Sequence, residues 1–511
     1  MSALAVRRAD HVTAAAGQVR ALLALRWQMT RTPGLRLAIV LGMLAAGWLL
    51  AVCLRSSAGL EPAVLETAVE LAPQAYLGFG VLALIAPLTA GGGGEVVPAD
   101  QLAAYPVRPA AQFLGGLLLA PLNLAWVVQL LVLAVETSCL TLGGSRTAGV
   151  VTTGAYAALA TVVGQTLGWT AVGLRQTRAG RRALLGTGLA LGALALLVVR
   201  AGAGGAVLDA APTRLVVRAV VAGGAGDRVA WAGPTLALVL GTALMVGLGL
   251  RACAWALRRP GDAGATRSQD VRRRRPRPSV LRELVALDRA SVWRAPALRR
   301  GGLVLALLPG LLAAGAQVPW ASLVVLPGLV AAGAGLLFGI NAFALDGSGA
   351  LWLASLPVPP VLVARAKLLV LAETVLGAVV LSAVTGALRA PGTPTGAEVT
   401  AIVAAGLACT AVVVATGVRL SVRHPHRADL RGPRDAIAPP GALALAGVRL
   451  SVPAAFTGLV VGAAAAGNHW WLPPLVALPI AALAALSLRR SLRRWADPHV
   501  RGRVVQTVSA G

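Results

Sequence analysis

Long apolar stretches alternate along this chain with short polar or arginine-rich joints. A helix needs roughly 20 mainly apolar residues to cross a hydrocarbon core of about 30 Å. On that measure the pattern predicts spans near 37–54, 71–92, 112–135, 148–173, 183–199, 233–257, 303–319, 322–344, 361–388, 398–420, 441–466 and 471–488. The expected fold class is an all-α integral membrane protein of about twelve transmembrane helices, six in each half. The weakest division lies in 303–344, where only Val318-Pro319-Trp320-Ala321 intervenes; a helical hairpin with one shallow arm also fits there.

Two segments are amphipathic at helical spacing instead. Between Val280 and Arg300, Leu281, Leu284, Val285 and Leu287 interleave with Arg282, Glu283 and Arg289; near 18–32, Val19, Leu22, Leu23 and Leu25 lie beside Arg20 and Arg26. Such helices lie flat in the interface, apolar side buried, with arginines snorkelling outward. Pro33 and Pro296 then break them, letting the chain turn into the bilayer.

The second half repeats the first. Arg31-Thr32-Pro33-Gly34-Leu35-Arg36 returns as Arg294-Ala295-Pro296-Ala297-Leu298-Arg299, and Leu102-Ala103-Ala104-Tyr105-Pro106-Val107-Arg108-Pro109 returns as Leu353-Ala354-Ser355-Leu356-Pro357-Val358-Pro359-Pro360. In the same register Glu95 falls opposite Asp346, and Leu117-Leu118 opposite Leu368-Leu369. A duplicated unit needs its partner copy, and in membrane transporters such halves enclose a path between them. The expected organisation is 1–258, a basic linker 259–280 rich in Arg, Pro, Gly and Asp, and 281–511.

Composition agrees with a membrane solvent: 57% of residues are hydrophobic, 13% are charged, and mean hydropathy is +0.77. No secretory signal is expected, because the first twenty residues are polar and Ala-rich and the first long apolar run begins near Leu37. The charge of +27 comes almost wholly from arginine, Lys367 being the only lysine. Nearly all of it falls in 1–36, 174–182, 251–300, 419–434 and 489–503. Lys/Arg bias in short loops sets orientation, so both termini are expected in the cytoplasm of a multi-pass plasma-membrane protein whose two six-helix repeats run parallel. Basic residues spread beside apolar spans meet membrane lipids before nucleic acid, so no nucleic-acid role is expected.

The loops 94–110 and 345–360 are the strongest functional candidates. Each lies between the second and third spans of its half, starts with an acid (Glu95, Asp346) and closes in a Pro-Val-x-Pro element, Pro106 to Pro109 and Pro357 to Pro360. The stretches Asp100–Tyr105 and Ala350–Leu356 suit one or two helical turns. A rigid proline stop would fix how such a turn faces a cytoplasmic partner, although proline also simply favours the first turn of the following helix.

This layout resembles the permease subunits of ABC-2 type exporters. The resemblance is carried by the surface helix, the six spans, and the run Asp346-Gly347-Ser348-Gly349 through Leu353-Ala354-Ser355-Leu356-Pro357-Val358-Pro359 to Ala366-Lys367-Leu368-Leu369. It covers both halves in layout and about thirty residues of each in motif, the first copy carrying Gly116 where Lys367 stands. The resemblance implies elbow helices around Arg31, Pro33, Arg294 and Pro296. It also implies ATPase-coupling loops containing Glu95, Pro106, Arg108, Pro109, Asp346, Pro357, Pro359, Pro360 and Lys367. The partner it implies is a separate ABC ATPase subunit; because this chain carries both halves, two copies are expected. Two departures stand out: most such permeases carry six spans and pair up, and the outer link before the last span is long in one half (200–232) and short in the other (Asn468–Pro473).

No phosphate-binding loop is present, since Lys367 sits in Arg365-Ala366-Lys367-Leu368 without the required glycines or a following hydroxyl. The chain is therefore expected to be no enzyme and to hold no cofactor of its own, with ATP on the partner. His424-Pro425-His426 lacks a third metal ligand nearby, and Cys53 with Cys139 could pair only if both lie near the outer face. Glu373, about a dozen residues into its span, is either a functional intramembrane polar site or a neutral or hydrogen-bonded glutamate, with Lys367 or Arg365 further down the helix as candidate partners. The alternatives left open are a proton-coupled secondary transporter and a non-transporting membrane scaffold. The cargo is not specified, an apolar and aromatic-poor interior being compatible with lipophilic molecules.

Overall fold

The computed structural model describes residues 17–24, 44, 47–52, 62–89, 107–119, 124–142, 144–201, 206, 210–258, 279–340, 342–426 and 447–509. Among the described residues every regular element is helical. Eight helices there are long and apolar enough to cross a membrane: Arg146–Arg175, Arg228–Arg258, Leu298–Gly315, Trp320–Phe338, Pro360–Ala387, Gly396–Arg423, Gly447–Gly467 and Leu472–Ala496. Shorter apolar helices occupy Ala72–Ile85, Pro109–Leu119 and Gln129–Leu140. This is the pattern of a multi-pass membrane protein. The chain divides into two compact units, 1–189 with 206–265, and 190–205 with 266–511.

In the first unit, α1 (17–24), α2 (Pro62–Thr89), α3 (Pro109–Leu119) and α4 (Leu124–Leu140) precede the long α5 (Arg146–Arg175). There follow α6 (Arg178–Arg200), whose last turns belong to the second unit, α7 (Thr213–Ala225) and α8 (Arg228–Arg258). The segment 112–135, expected as one span, holds parts of two helices, α3 and α4, flanking a stretch that contains Pro121. Most of the expected span 37–54 lies outside the described residues. Helix α5 is the axis of this unit. One side packs Tyr156, Ala157 and Ala160 with Tyr76 and Phe79 of α2, Leu133 of α4 and Val220 of α7. The other packs Val162, Trp169 and Val172 with Phe113 of α3 and Cys253 of α8. Buried hydroxyls answer one another: Tyr76 Oη lies 2.6 Å from Thr153 Oγ1, and Thr137 donates to the Leu133 carbonyl at 2.6 Å. In lipid every such group needs a protein partner.

The second unit opens with α9 (Val280–Arg294) and α10 (Pro296–Gly315), then a short helical turn Trp320–Leu323 and α11 (Leu326–Phe338). Where 303–344 left two spans or a hairpin open, two candidate spans are found, separated by a turn in which Gln317 takes a positive φ of 51°. A 3-10 turn Ala344–Asp346 leads to α12 (Gly349–Ser355) and the long α13 (Pro360–Ala387) and α14 (Gly396–Arg423). Thr395 and Glu398 cap α14 reciprocally, the Thr395 N–H donating to the Glu398 carboxylate at 2.7 Å. After residues outside the described set, a π turn Gly447–Ser451 runs into α15 (Val452–Ala463), followed by α16 (Leu472–Ala496) and α17 (Pro498–Ser509). The core joins Val375 and Val379 of α13, Val413 and Val418 of α14, Val330 of α11 and Ala454 of α15.

Candidate functional site

Glu95, Pro106, Arg31 and Pro33 lie outside the described residues, as does Cys53. What remains of the first loop is tied to the surface helix of its own unit. The Arg108 N–H donates to Gln18 Oε1 at 3.0 Å, and Val19 and Leu22 of α1 are buried with Ala111, against Val107 and Leu114. Pro109 opens α3, and Gly116 is buried within it.

The second unit holds the richer arrangement. The apolar stripe of α9 (Leu281, Leu284, Val285 and Val292) lies on Val358, just ahead of α13, and on Leu362, Val363, Ala366 and Val370 of its first turns. Position 288 falls on that same stripe by helical spacing, and it is an aspartate. Its partner is Lys367, only 5% exposed, whose ammonium donates to Asp288 Oδ1 and, at 2.5 Å, to Asp346 Oδ1. One lysine thus joins the surface helix, the 3-10 turn of the loop and the long apolar helix. The three groups carry one formal positive and two negative charges. Burial pushes the Asp346 carboxyl above the ordinary carboxylate range; Lys367 pulls it back, and the Asp288 charge adds to the rise.

Glu373 is paired with neither of its expected partners. Arg289, next to Asp288 on α9, grips it with two parallel bonds, Nε to Oε2 at 2.7 Å and Nη2 to Oε1 at 2.5 Å. Both side chains are about half exposed. This corrects the Lys367 or Arg365 pairing read from α13 alone: the sequence along α13 cannot show that α9 lies against it. Lys367 and Glu373 sit six residues apart on α13, about 9 Å along the axis, so two ionic joints fix α9 lengthwise.

The loop is held from below as well. Phe343 stacks on Trp495 with ring centroids 4.3 Å apart, and Trp495 Nε1 donates to the Pro360 carbonyl at 2.9 Å. Val504 and Val508 of α17 are buried in the same cluster as Phe343, Ala350 and Ala364. Gly347, at φ +50°, makes the reversal between the 3-10 turn and α12 that a side chain would strain. Pro360 starts α13, while Pro357 and Pro359 are exposed. Arg294 ends α9 and Pro296 takes the first turn of α10. The large apolar side chains left open on α12 are Leu351 and Trp352, at 55% and 58% exposed.

The motif therefore led to Asp346, Lys367 and the prolines but missed Asp288, Arg289, Phe343, Trp495 and the Leu351–Trp352 face. Asp288 had a signal, an acid on an apolar stripe. Trp495 had none, because only tertiary packing brings α16 beneath the loop. Among the described residues no group of three or more His, Cys, Asp or Glu gathers as a metal site. Comparison with protein-family models, curated proteins and solved structures finds no match to this chain.

Proposed function

We propose that this chain is the permease of an ATP-driven exporter of the ABC-2 kind, moving a lipophilic or amphipathic cargo. In this reading about twelve spans form two parallel six-helix halves in the plasma membrane, with both termini cytoplasmic. Two copies of a separate ATPase drive it from the cytoplasm. The carrying observation is the Lys367 joint. A force applied to the exposed Leu351–Trp352 face of α12 reaches Asp346 within a few residues, and through Lys367 it reaches α9 and α13 together. Stacked Phe343 and Trp495 close the loop's other side, so it moves with the bundle and does not flex alone. The first unit has the same neighbours, a surface helix packed on the helix that follows the proline element. The bidentate hold of Arg289 on Glu373 argues against a proton-relay carrier, because the one acid that the described residues place well inside a long helix of this unit already has an arginine partner.

The test is capture. Full-length protein co-expressed with the stand-alone ATPase encoded nearest its gene retains that ATPase through purification. Leu351→Glu with Trp352→Glu loses it while the melting temperature stays unchanged, since both positions are exposed. Pro357→Ala with Asp346→Ala also weakens capture. Retention by both double variants refutes the coupling-loop reading.

A further inference from the structure

At the arginine-rich end of the second unit, one set of like charges has no counter-charge among the described residues. Arg419 and Arg423 close α14, Arg449 stands in the π turn before α15, Arg494 ends α16, and Arg503 lies on α17; all five are exposed. Arg419, Arg494 and Arg449 lie close enough to Arg423 to repel it directly, and Arg449, Arg423 and Arg503 act likewise on His424. Arg449 Nη1 is 3.5 Å from His424 Nε2. Among the described residues no carboxylate pairs with any of the five. Asp497, the acid nearest in sequence to Arg494, is occupied in capping α17, accepting from the His499 N–H at 2.9 Å. Buried Leu450, Trp495 and Val504 anchor the backbone beneath, so the packing keeps the positions that carry these charges close together. Guanidinium groups gathered in this way match a phosphate, which accepts several charge-assisted bonds at once.

The adjoining apolar surface says what the phosphate is attached to. Val448, Val452, Phe456 and Leu459 are 57%, 56%, 64% and 55% exposed. Their spacing of four, four and three places them on one strip that climbs the helix away from Arg449. Neither a free anion nor an acidic protein surface would use that strip, whereas an acyl chain would lie along it. We propose that this corner binds an anionic phospholipid, its phosphate among Arg423, Arg449 and Arg494 and a chain along the strip. The proposal needs only the membrane setting and stands apart from the exporter reading.

Native mass spectrometry of the full-length protein in neutral detergent reads it out, with phosphatidylglycerol and phosphatidylcholine of matched chains as probes. The wild type is expected to prefer phosphatidylglycerol by about tenfold or more, basic residues at a membrane surface each adding appreciably to anionic-lipid binding. The triple variant R423Q/R449Q/R494Q is expected to lose that preference, and R178Q/R182Q to keep it. Val452→Asn with Phe456→Asn weakens both lipids. In phosphatidylcholine alone the triple variant melts no lower than wild type, because repulsion has been removed; were it to misfold, R449Q alone is read the same way. An unchanged preference in the triple variant overturns the proposal. So does equal protection by inorganic phosphate or by the soluble glycerophosphoglycerol headgroup, which would mark a simple anion site. Arginine-dependent capture of an acidic protein without any lipid preference would overturn it too.

Discussion

Lys367 meets two carboxylates where nothing else among the described residues offers a positive charge, so removing its ammonium strands both acids in a buried place. Breaking a buried pair by deleting one partner costs about 3–5 kcal/mol. Lys367→Met is therefore expected to lower the melting temperature sharply. Lys367→Met combined with Asp288→Asn and Asp346→Asn should recover most of the loss, and a simple sum of the separate effects would contradict the joint. Glu373→Gln is a milder change because the Arg289 pair is half exposed; about 1 kcal/mol or less is expected. His424 gives a pH test. Burial and the neighbouring arginines hold it below the ordinary imidazole range, so the unfolded chain takes up its proton first as pH falls. Its stabilising contribution is present above about pH 6.5 and is lost below it. The melting temperature should fall between pH 7.5 and 5.5, and fall less in His424→Gln. At this scale the motif residues were legible in the sequence, whereas Asp288, an acid on an apolar stripe, was overlooked although its signal was there. A stripe says which face is buried and leaves open which helix covers it.

Helices of the second unit owe their separate identities to local chemistry and their closeness to small residues. Gly458 of α15 and Gly328 of α11 face each other so tightly that a Cβ on Gly458 would stand 2.4 Å from the Gly328 Cα. Membrane helices gain contact this way because lipid offers no hydrophobic drive between them. Gly458→Val is expected to destabilise by about 1–3 kcal/mol through overpacking. Gly315→Val, where a Cβ meets nothing within 4 Å, should leave the melting temperature nearly unchanged. Eight of the expected spans were legible because transfer of an apolar stretch into lipid is a sum over its residues. The 112–135 stretch lies only partly within the described residues, which place α3 and α4 on either side of residues 120–123. Helix α12 was readable as a short amphipathic turn, yet its exposed Leu351–Trp352 face depends on α17 covering the opposite side, which no local pattern encodes.

The arginines make an argument about the whole molecule that labelling can settle. In the second unit they stand at the start of α10 (Arg299, Arg300), near the start of α13 (Arg365), at the end of α14 (Arg419, Arg423) and at the end of α16 (Arg489, Arg490, Arg493, Arg494). Successive crossings put those ends on one side, and the intervening turns 316–319, 388–395 and 464–471 contain Arg389 alone among lysines and arginines. On the positive-inside rule the arginine side is expected to face the cytoplasm. A membrane-impermeant maleimide applied to intact cells should label Gln317→Cys, Thr393→Cys and Asn468→Cys, and should reach Ser355→Cys only after permeabilisation. The first unit supplies the decisive arm. If the halves are parallel, Thr177→Cys between α5 and α6 is protected along with Ser355→Cys, while Ser145→Cys and Asp227→Cys label from outside. Labelling of Thr177→Cys in intact cells would make the repeat inverted and put the two proline-bounded loops on opposite faces. A pair of cytoplasmic motors could not then grip both halves, whatever holds α12 in place.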